Sequence, residues 1–401
     1  MSWEHYKLND ICKSISDGDH QPPPKAENGI PFVTIANITN ANKFDFSNTM
    51  FVPQEYYDKL DDKRRAHVGD ILYSVVGSFG IPVYMSEEQK FVFQRHIAIL
   101  RPDETKVVPQ FLYYTMLSRD FYMKADAVAL GAAQRTVSLT SLRGMAVAVP
   151  DLEIQKKIVD VLKPYDELIE NNQKQIKLLE EATQRLYKEW FVDLRFPGYE
   201  KTEIVDGVPK GWKKHSIGDV FTTVLGGTPS RANANYWNGD IPWINSGEVN
   251  SLRIIKESEF ITELGLKKSS TKLMPKHTTV LAITGATLGQ VSYTEIETCA
   301  NQSVVGIIDE TQTYSAYIYL FVSNNIWSMI GKATGGAQQH INKDIVNEYS
   351  IVLPDKEMIL KLNSIVEPMF SKMADLYIQN LKLAEARDRL LPKLMSGEVE
   401  V

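Results

Sequence analysis
The sequence predicts a mixed α/β (α+β) fold built as a tandem repeat. Two α/β units with a pseudo-twofold relation are each followed by a long helix, and the two helices pair as an antiparallel coiled coil. Three observations predict this fold. Matching residues recur in order through both halves, each half ends in a long glycine-free helical stripe, and each stripe is interrupted by one asparagine.

Trp3, Leu8, Asp10 and Ile11 recur as Trp212, Ile217, Asp219 and Val220, each 209 residues later. Ile30-Pro31-Phe32-Val33 returns as Ile241-Pro242-Trp243-Ile244. Ile71-Leu72, Gly80 and Tyr84 match Val280-Leu281, Gly289 and Tyr293, again at 209. Gly131-Ala132-Ala133-Gln134 matches Gly335-Gly336-Ala337-Gln338, and Pro150-Asp151, Glu153 and Pro164 match Pro354-Asp355, Glu357 and Pro368, all at 204. An ordered series of this length marks an internal repeat. Within each unit, stretches such as Gly69–Gly77 and Thr279–Gly285 read as a turn and a buried strand. Frequent Gly, Pro and Asn punctuate further short strands.

From Glu153 to about Trp190 the apolar series is Ile158, Val161, Tyr165, Leu168, Asn172, Leu179, Ala182 and Leu186. From Glu357 to about Leu394 it is Leu362, Val366, Met369, Met373, Leu376, Asn380, Leu383, Arg387, Leu390 and Leu394. These 3-4 spacings are those of a coiled coil. Asp151 and Asp355 are placed as N-caps, with Glu153 and Glu357 in the first turns. Pro164 and Pro368 are expected to bend the helices or divide off their first turns. About 37 residues at about 1.5 Å each span roughly 55 Å, more than one small domain needs, so the helices are expected to pack on each other. Asn172 and Asn380 then fix the register. The expected boundaries are 1–150 and 210–354 for the units, 151–209 for the central helix and linker, and 355–401 for the last helix and tail.

Composition is that of a globular chain, 43% hydrophobic and 23% charged. No apolar run of eighteen residues indicates a membrane span. Met1-Ser2-Trp3-Glu4-His5 lacks the pattern of a signal peptide. Cys12 and Cys299 are too far apart in sequence for a metal-ligand motif and read as reduced thiols of a cytoplasmic protein. The net charge of −6 is unusual for a nucleic-acid binder, but the acid is unevenly spread. Residues 1–150 carry 16 basic and 17 acidic side chains and 210–354 carry 12 and 12, whereas 151–209 carry 9 and 13. Near-neutral charge does not exclude DNA binding through local loops, but such binding is weak unless a partner supplies phosphate contacts.

Gly226-Gly227-Thr228-Pro229-Ser230, followed by Tyr236-Trp237-Asn238-Gly239-Asp240-Ile241-Pro242-Trp243, resembles the opening of a target-recognition domain from type I restriction–modification specificity subunits. Val280–Gly289, Asn301-Gln302, Gly335–Asn342 and the ending Leu390–Glu398 continue the likeness, which with the repeat spans essentially the whole chain. The first unit departs from it, having Ser16-Asp17-Gly18-Asp19-His20-Gln21 where the second has the glycine pair. The family's Glu-Gln pair after the proline is only partly kept, as Ile154-Gln155 and Met358-Ile359.

The resemblance implies a subunit that reads a split, asymmetric double-stranded DNA target, one half per domain. It implies two modification subunits that methylate adenine with S-adenosylmethionine, and restriction–translocase subunits that use ATP and Mg. No cofactor is then bound by this chain and no catalytic residue lies in it. The residues agree: there is no Asn-Pro-Pro-Tyr or Asp-Pro-Pro-Tyr, and Gln21-Pro22-Pro23-Pro24 is no substitute. No phosphate loop is present, since Gly285-Ala286-Thr287-Leu288-Gly289 lacks the lysine. Asp103-Glu104 are adjacent and read as a solvated turn, and the seven histidines form no ligand cluster.

Forked donors and amides read bases, while Lys, Arg and hydroxyls hold phosphates. On that chemistry the candidates in the second unit are Thr228, Ser230, Arg231, Asn233, Asn235, Asn245, Ser246, Lys267, Lys268, Gln338, Gln339, His340, Asn342 and Lys343. In the first unit they are His20, Asn37, Asn40, Asn42, Lys43, Arg64, Arg65, Gln134 and Arg135. Trp237 and Trp243 are expected in the core. Two other readings stay open, a nuclease or methyltransferase acting alone and a scaffold without DNA specificity.

Overall fold
The computed structural model describes residues 3–39, 42–47, 49–131, 134–332 and 340–401. The chain divides into two compact units, Met1–Glu167 with Leu383–Val401, and Leu168–Lys382. Each unit takes one segment from each of the two long helices, Leu152–Tyr187 and Lys356–Ser396.

In the first unit the four-stranded antiparallel sheet runs Cys12–Asp17, Ile97–Pro102, Ile71–Ser74, Pro82–Tyr84. A second sheet runs Met50–Val52, Ile30–Val33, Val92–Phe93, its last pair parallel. Glu4–Lys7 pairs with Ala146–Val149, the strand that leads into the first long helix. The second unit repeats this plan. Its sheet runs Thr222–Leu225, Val304–Ile308, Thr279–Ala282, Val291–Thr294, and adds a short parallel strand, Arg253–Ile254. The companion sheet is Glu259–Ile261, Trp237–Ile244, Cys299–Ala300, and Lys213–Ser216 pairs with Ser350–Leu353.

The repeat differs from its sequence alignment at one strand. Gly80 N–H donates to Ser74 O at 3.0 Å, and Gly289 N–H to Ala282 O at 3.1 Å, so the hairpins match Ser74 to Ala282, an offset of 208. Leu72 is therefore level with Val280 rather than Leu281. The packing agrees, because Leu72 and Val280 face away from the long helices while Tyr73 and Leu281 face them. A shift of one residue would put each side chain on the wrong face.

Asp151 and Asp355 cap the long helices, accepting from Ile154 N–H at 2.9 Å and Met358 N–H at 2.8 Å. Both helices run unbroken through Pro164 and Pro368, so the expected division of their first turns does not occur. The first turns pack in the domain cores through Ile158, Val159 and Leu162, and through Met358, Ile359, Leu362 and Val366, which holds them in line. In the second unit, Asn172 Nδ2 donates to Asn380 Oδ1 at 2.9 Å and to Gln379 Oε1 at 2.8 Å. In the first unit, Asp166 Oδ1 accepts from Arg387 Nη1 at 2.5 Å and Asp166 Oδ2 from the Tyr114 hydroxyl at 2.7 Å. The rising number on one helix meets the falling number on the other, so the pairing is antiparallel. The seam differs in detail from its expected course: Val161, Leu168 and Ala182 face solvent, while Leu162, Ile176 and Thr183 are buried.

One buried cation ties the second unit together. Arg253, 1% exposed, enters on the extra strand. Its guanidinium lies 4.0 Å from the Phe370 ring centre, 4.6 Å from Tyr319 and 5.2 Å from Tyr293. Glu180 of the first long helix and Glu295 each stand 3.6 Å from its nitrogens, and Nη1 donates to Leu252 O at 2.9 Å. Burial pushes the Glu295 carboxyl up, and the Arg253 charge opposes that shift. Replacing Arg253 by Met deprives two largely buried carboxylates of their shared cation, a loss of about 3–5 kcal/mol. Urea unfolding of Arg253→Met is expected to show it, and Arg253→Met with Glu180→Gln and Glu295→Gln is expected to regain a good part.

Candidate nucleic-acid interface
In the second unit the strand Thr222–Leu225 ends at Gly226, and the chain turns across the ends of its neighbours. Gly226 N–H donates to Val304 O at 3.0 Å and Gly227 N–H to Ala300 O at 2.8 Å. A Cβ on Gly226 would lie 2.1 Å from Asn301 O, so the approach requires glycine. Asn301 N–H donates to Ile244 O at 3.0 Å, which brings the segment starting at Asn245 beside it. Val304 N–H donates to Asn301 O at 3.1 Å, closing a tight turn with Gln302 and Ser303 at its corners. Ile283 N–H donates to Ser303 O at 2.9 Å, and Ile341 N–H to Ile283 O at 3.1 Å. Loop starts at 226, 245, 301 and 341 thus gather at one end of the unit. Trp237 and Trp243 are buried beneath them, their indole N–H groups donating to Ser230 O at 3.3 Å and Gly227 O at 3.0 Å.

The first unit builds the same end with other side chains. Gly18 N–H donates to Ile97 O at 3.2 Å and Asp19 N–H to Phe93 O at 2.9 Å, the counterparts of the Gly226 and Gly227 bonds. A Cβ on Gly18 would lie 2.0 Å from Phe93 O. Gly18 thus fills the place of Gly226, Asp19 that of Gly227 and His20 that of Thr228, which accounts for the missing glycine pair. Ile97 N–H donates to Gln94 O at 3.0 Å, and the corners of this turn are Arg95 and His96. Val75 N–H donates to His96 O at 2.9 Å, and Val137 N–H to Val75 O at 2.8 Å. A cleft of about 320 Å³ opens here, lined by Asp17, Arg95, His96, Gln134, Thr136 and Ser138 over Val75, Val76, Val137 and Leu139. Burial, and then the Arg95 charge, holds the His96 imidazole below its ordinary value, so it is neutral at physiological pH.

The candidates read from the sequence fall into two sets. Gln134 lines the cleft, His20 Nε2 lies 2.8 Å from Asp17 Oδ2, and Arg64 Nη1 lies 3.6 Å from Asp19 Oδ1. Thr228 Oγ1 donates to Gln302 Oε1 at 2.5 Å. Asn245 and Ser246 follow the strand Trp237–Ile244, and Asn245 Oδ1 accepts from Gly247 N–H at 2.7 Å. Ser230 and Lys268 are exposed, and Ser270 beyond Lys268 packs on Gly227. His340 is exposed, and Asn342 caps the helix that opens at Lys343, accepting from Ile345 N–H at 2.9 Å.

Others are engaged within the fold. Both terminal nitrogens of Arg231 are held by Glu259, at 2.6 and 2.7 Å, and its guanidinium lies 3.6 Å over the Trp237 ring. That pairing holds the Glu259 carboxyl below the usual carboxylate range. Arg135 is held by the Asp126 carboxylate over the Phe79 ring, and Arg65 Nη2 donates to Asp58 O at 2.5 Å. Asn37 folds back onto Thr34 N–H at 2.8 Å, and Asn42 meets the Tyr113 hydroxyl. Asn233 caps a short turn through Asn235 N–H at 3.1 Å, and Lys267 pairs with Glu263 at 3.8 Å. Lys43 is half-buried in the loop beside Asn42. Asn40, Gln338 and Gln339 lie outside the described residues.

Sequence reasoning missed Asp17, Arg95 and His96. Extending the repeat through Gln94 sets Arg95 opposite Gln302 at an offset of 207, which was the available signal. Among the described residues no group of three or more His, Cys, Asp or Glu could hold a metal ion, and no helix is long and apolar enough to cross a membrane. Burial pushes the thiols of Cys12 and Cys299 up to about 12 and about 11, which makes both poor nucleophiles.

The family model for the type I restriction modification DNA specificity domain matches the chain twice, over residues 1–181 and 209–365. The chain is 26% identical to the HindI specificity subunit of Haemophilus influenzae, over 99% of each. It is 27% identical to the MjaIX specificity subunit of Methanocaldococcus jannaschii, over 74% of this chain and 70% of that one. Among solved structures, the S subunit of a type I restriction–modification system from M. genitalium shares the fold with a TM-score of 0.56 at 16% identity, covering 98% of this chain and 96% of that one. The chain belongs to the type I restriction–modification specificity subunits and carries two copies of their DNA specificity domain.

Proposed function
We propose that each unit reads one half of a bipartite, asymmetric DNA target and that the paired helices fix the gap between the halves. One observation carries this reading. The same end is built twice on the same backbone bonds, yet the side chains differ, with Arg95 and His96 at the turn of one unit and Gln302 and Ser303 at the other. A conserved frame with exchanged polar groups suits two readers of different sequences. His20, Arg64, Gln134, Thr228, Ser230, Lys268, His340, Asn342 and Lys343 are the candidates best placed to join them, as base or phosphate contacts.

The chain acts without a catalytic centre and without a cofactor of its own. It positions two modification subunits for adenine methylation, and restriction–translocase subunits for cleavage, in the cytoplasm. S-adenosylmethionine, ATP and Mg are used by those partners. The relatives named above are specificity subunits, which supports a reader rather than an enzyme. The near-neutral charge of each unit supports partners that supply phosphate contacts.

Exchanging residues 210–354 for the second unit of another family member is expected to change one half of the methylated motif and leave the other. Sequencing methylated adenines in cells that carry the chimaera checks this, and a change in both halves argues against independent reading.

The ruler is tested at the border between the two compact units, after Glu167 and after Lys382. Tyr187 is buried in the second unit's core, so an insertion beyond it leaves the shared segment unchanged. Four helix-forming residues added at both border positions lengthen the pair by about 6 Å and turn it by about 40°. B-DNA rises about 3.4 Å per base pair, so the gap is expected to grow by one or two pairs with both half-sites unchanged. An active variant that keeps its original gap contradicts the ruler.

A further inference from the structure
We propose that the cleft of the first unit reads a guanine–cytosine pair, with Arg95 as the residue that selects guanine. The proposal rests on the DNA-reading role given above and assigns one base pair within it.

Arg95 is exposed at the corner of the Gln94–Ile97 turn. Its guanidinium has no ion-pair or hydrogen-bond partner among the described residues. Of the other arginines of this region, Arg65 is held by Asp58 and Arg135 by Asp126, while Arg64 makes only a looser ion pair with Asp19 at 3.6 Å. The Arg95 backbone is fixed, because its N–H donates to Asp19 O at 3.0 Å and the next residue, His96, is bonded through its carbonyl to Val75 N–H. A rigid base thus carries a forked donor with its bonds unmade.

The rest of the cleft narrows the choice of base. In the major groove guanine offers two adjacent acceptors, and its cytosine partner offers an amino donor. Arg95 supplies the matching pair of donors. Asp17, at the end of the strand Cys12–Asp17, supplies a carboxylate acceptor, one oxygen of which is 2.8 Å from His20. An adenine–thymine pair puts the adenine amino donor where guanine has O6 and the thymine O4 acceptor where cytosine has its amino group, so one arginine donor and the carboxylate are left unmatched. The equivalent corner of the second unit holds Gln302, whose Oε1 already accepts from Thr228, so that unit presents other chemistry at this position.

The test uses the full chain assembled with its modification subunits, as wild type, Arg95→Ala and Arg95→Gln. Binding is measured to duplexes in which each pair of the half-site assigned to residues 1–150 is replaced in turn, and methylated adenines are mapped in cells. Both variants are expected to lose discrimination at one guanine–cytosine position, by roughly 5- to 150-fold, with the other positions unchanged. Uniformly weaker binding to every duplex, with a salt slope reduced by about one, makes Arg95 a phosphate contact and overturns the assignment. Unaltered discrimination, or a first half-site without a guanine–cytosine pair, overturns it as well. A wild-type complex without sequence selectivity removes the underlying reading, whereas a selective complex indifferent to Arg95 removes only this assignment.

Discussion
Both candidate interfaces depend on one close approach of backbone to backbone. Gly18 and Gly226 stand where a Cβ would lie 2.0 and 2.1 Å from a carbonyl oxygen of the crossing strand or the residue beyond it. Any other residue would lift the loop off and break the bonds to Phe93 and Ile97, or to Ala300 and Val304. With the loop seated, the following turn, the end of the parallel strand and the segment before the last short helix are drawn to one place. The glycine fixes the frame, and the side chains on the frame are left free to differ. The proposed reading of two different half-sites by one repeated frame needs that division of labour.

The helices are secured by polar groups in apolar surroundings. Asp166 accepts from both Tyr114 and Arg387, and Asn172 donates to both Gln379 and Asn380. Arg253 faces two carboxylates and three rings. Apolar stripes alone would allow the helices to slide by a turn, because one leucine packs much like another. A buried polar group left without its partner costs far more than the pair contributes, so slipped registers are disfavoured. Constant register is what a spacing device requires, and it links this packing to the proposed gap in the target.

Much of this was legible in the sequence. The repeat, the helix caps and the asparagine seam rest on local patterns, and the structure shows each of them. What escaped depends on tertiary packing. The one-residue offset at Leu72 and Val280 was hidden because Ile71-Leu72 matches Val280-Leu281 equally well as apolar pairs. Val161, Leu168 and Ala182 fit a helical stripe, yet the domain side of the helix selects Leu162, Ile176 and Thr183. Arg253 reads as an ordinary surface arginine until the strand that carries it is known. Arg231 and Arg135 looked like free donors, whereas Glu259 and Asp126, distant or nine residues away in sequence, occupy them. Arg95 lies among apolar residues, and only the tight turn before Ile97 exposes it.

The central claim is that this chain alone decides which DNA sequence its complex modifies, and that it does so through two separate readers. The most direct measurement is a genome-wide map of methylated adenines in cells with the chain and in otherwise identical cells without it. The predicted result is a split motif, two defined halves around a fixed number of unspecified base pairs, present with the chain and gone without it. Methylation that persists in the chain's absence, or a single continuous motif, would contradict the claim.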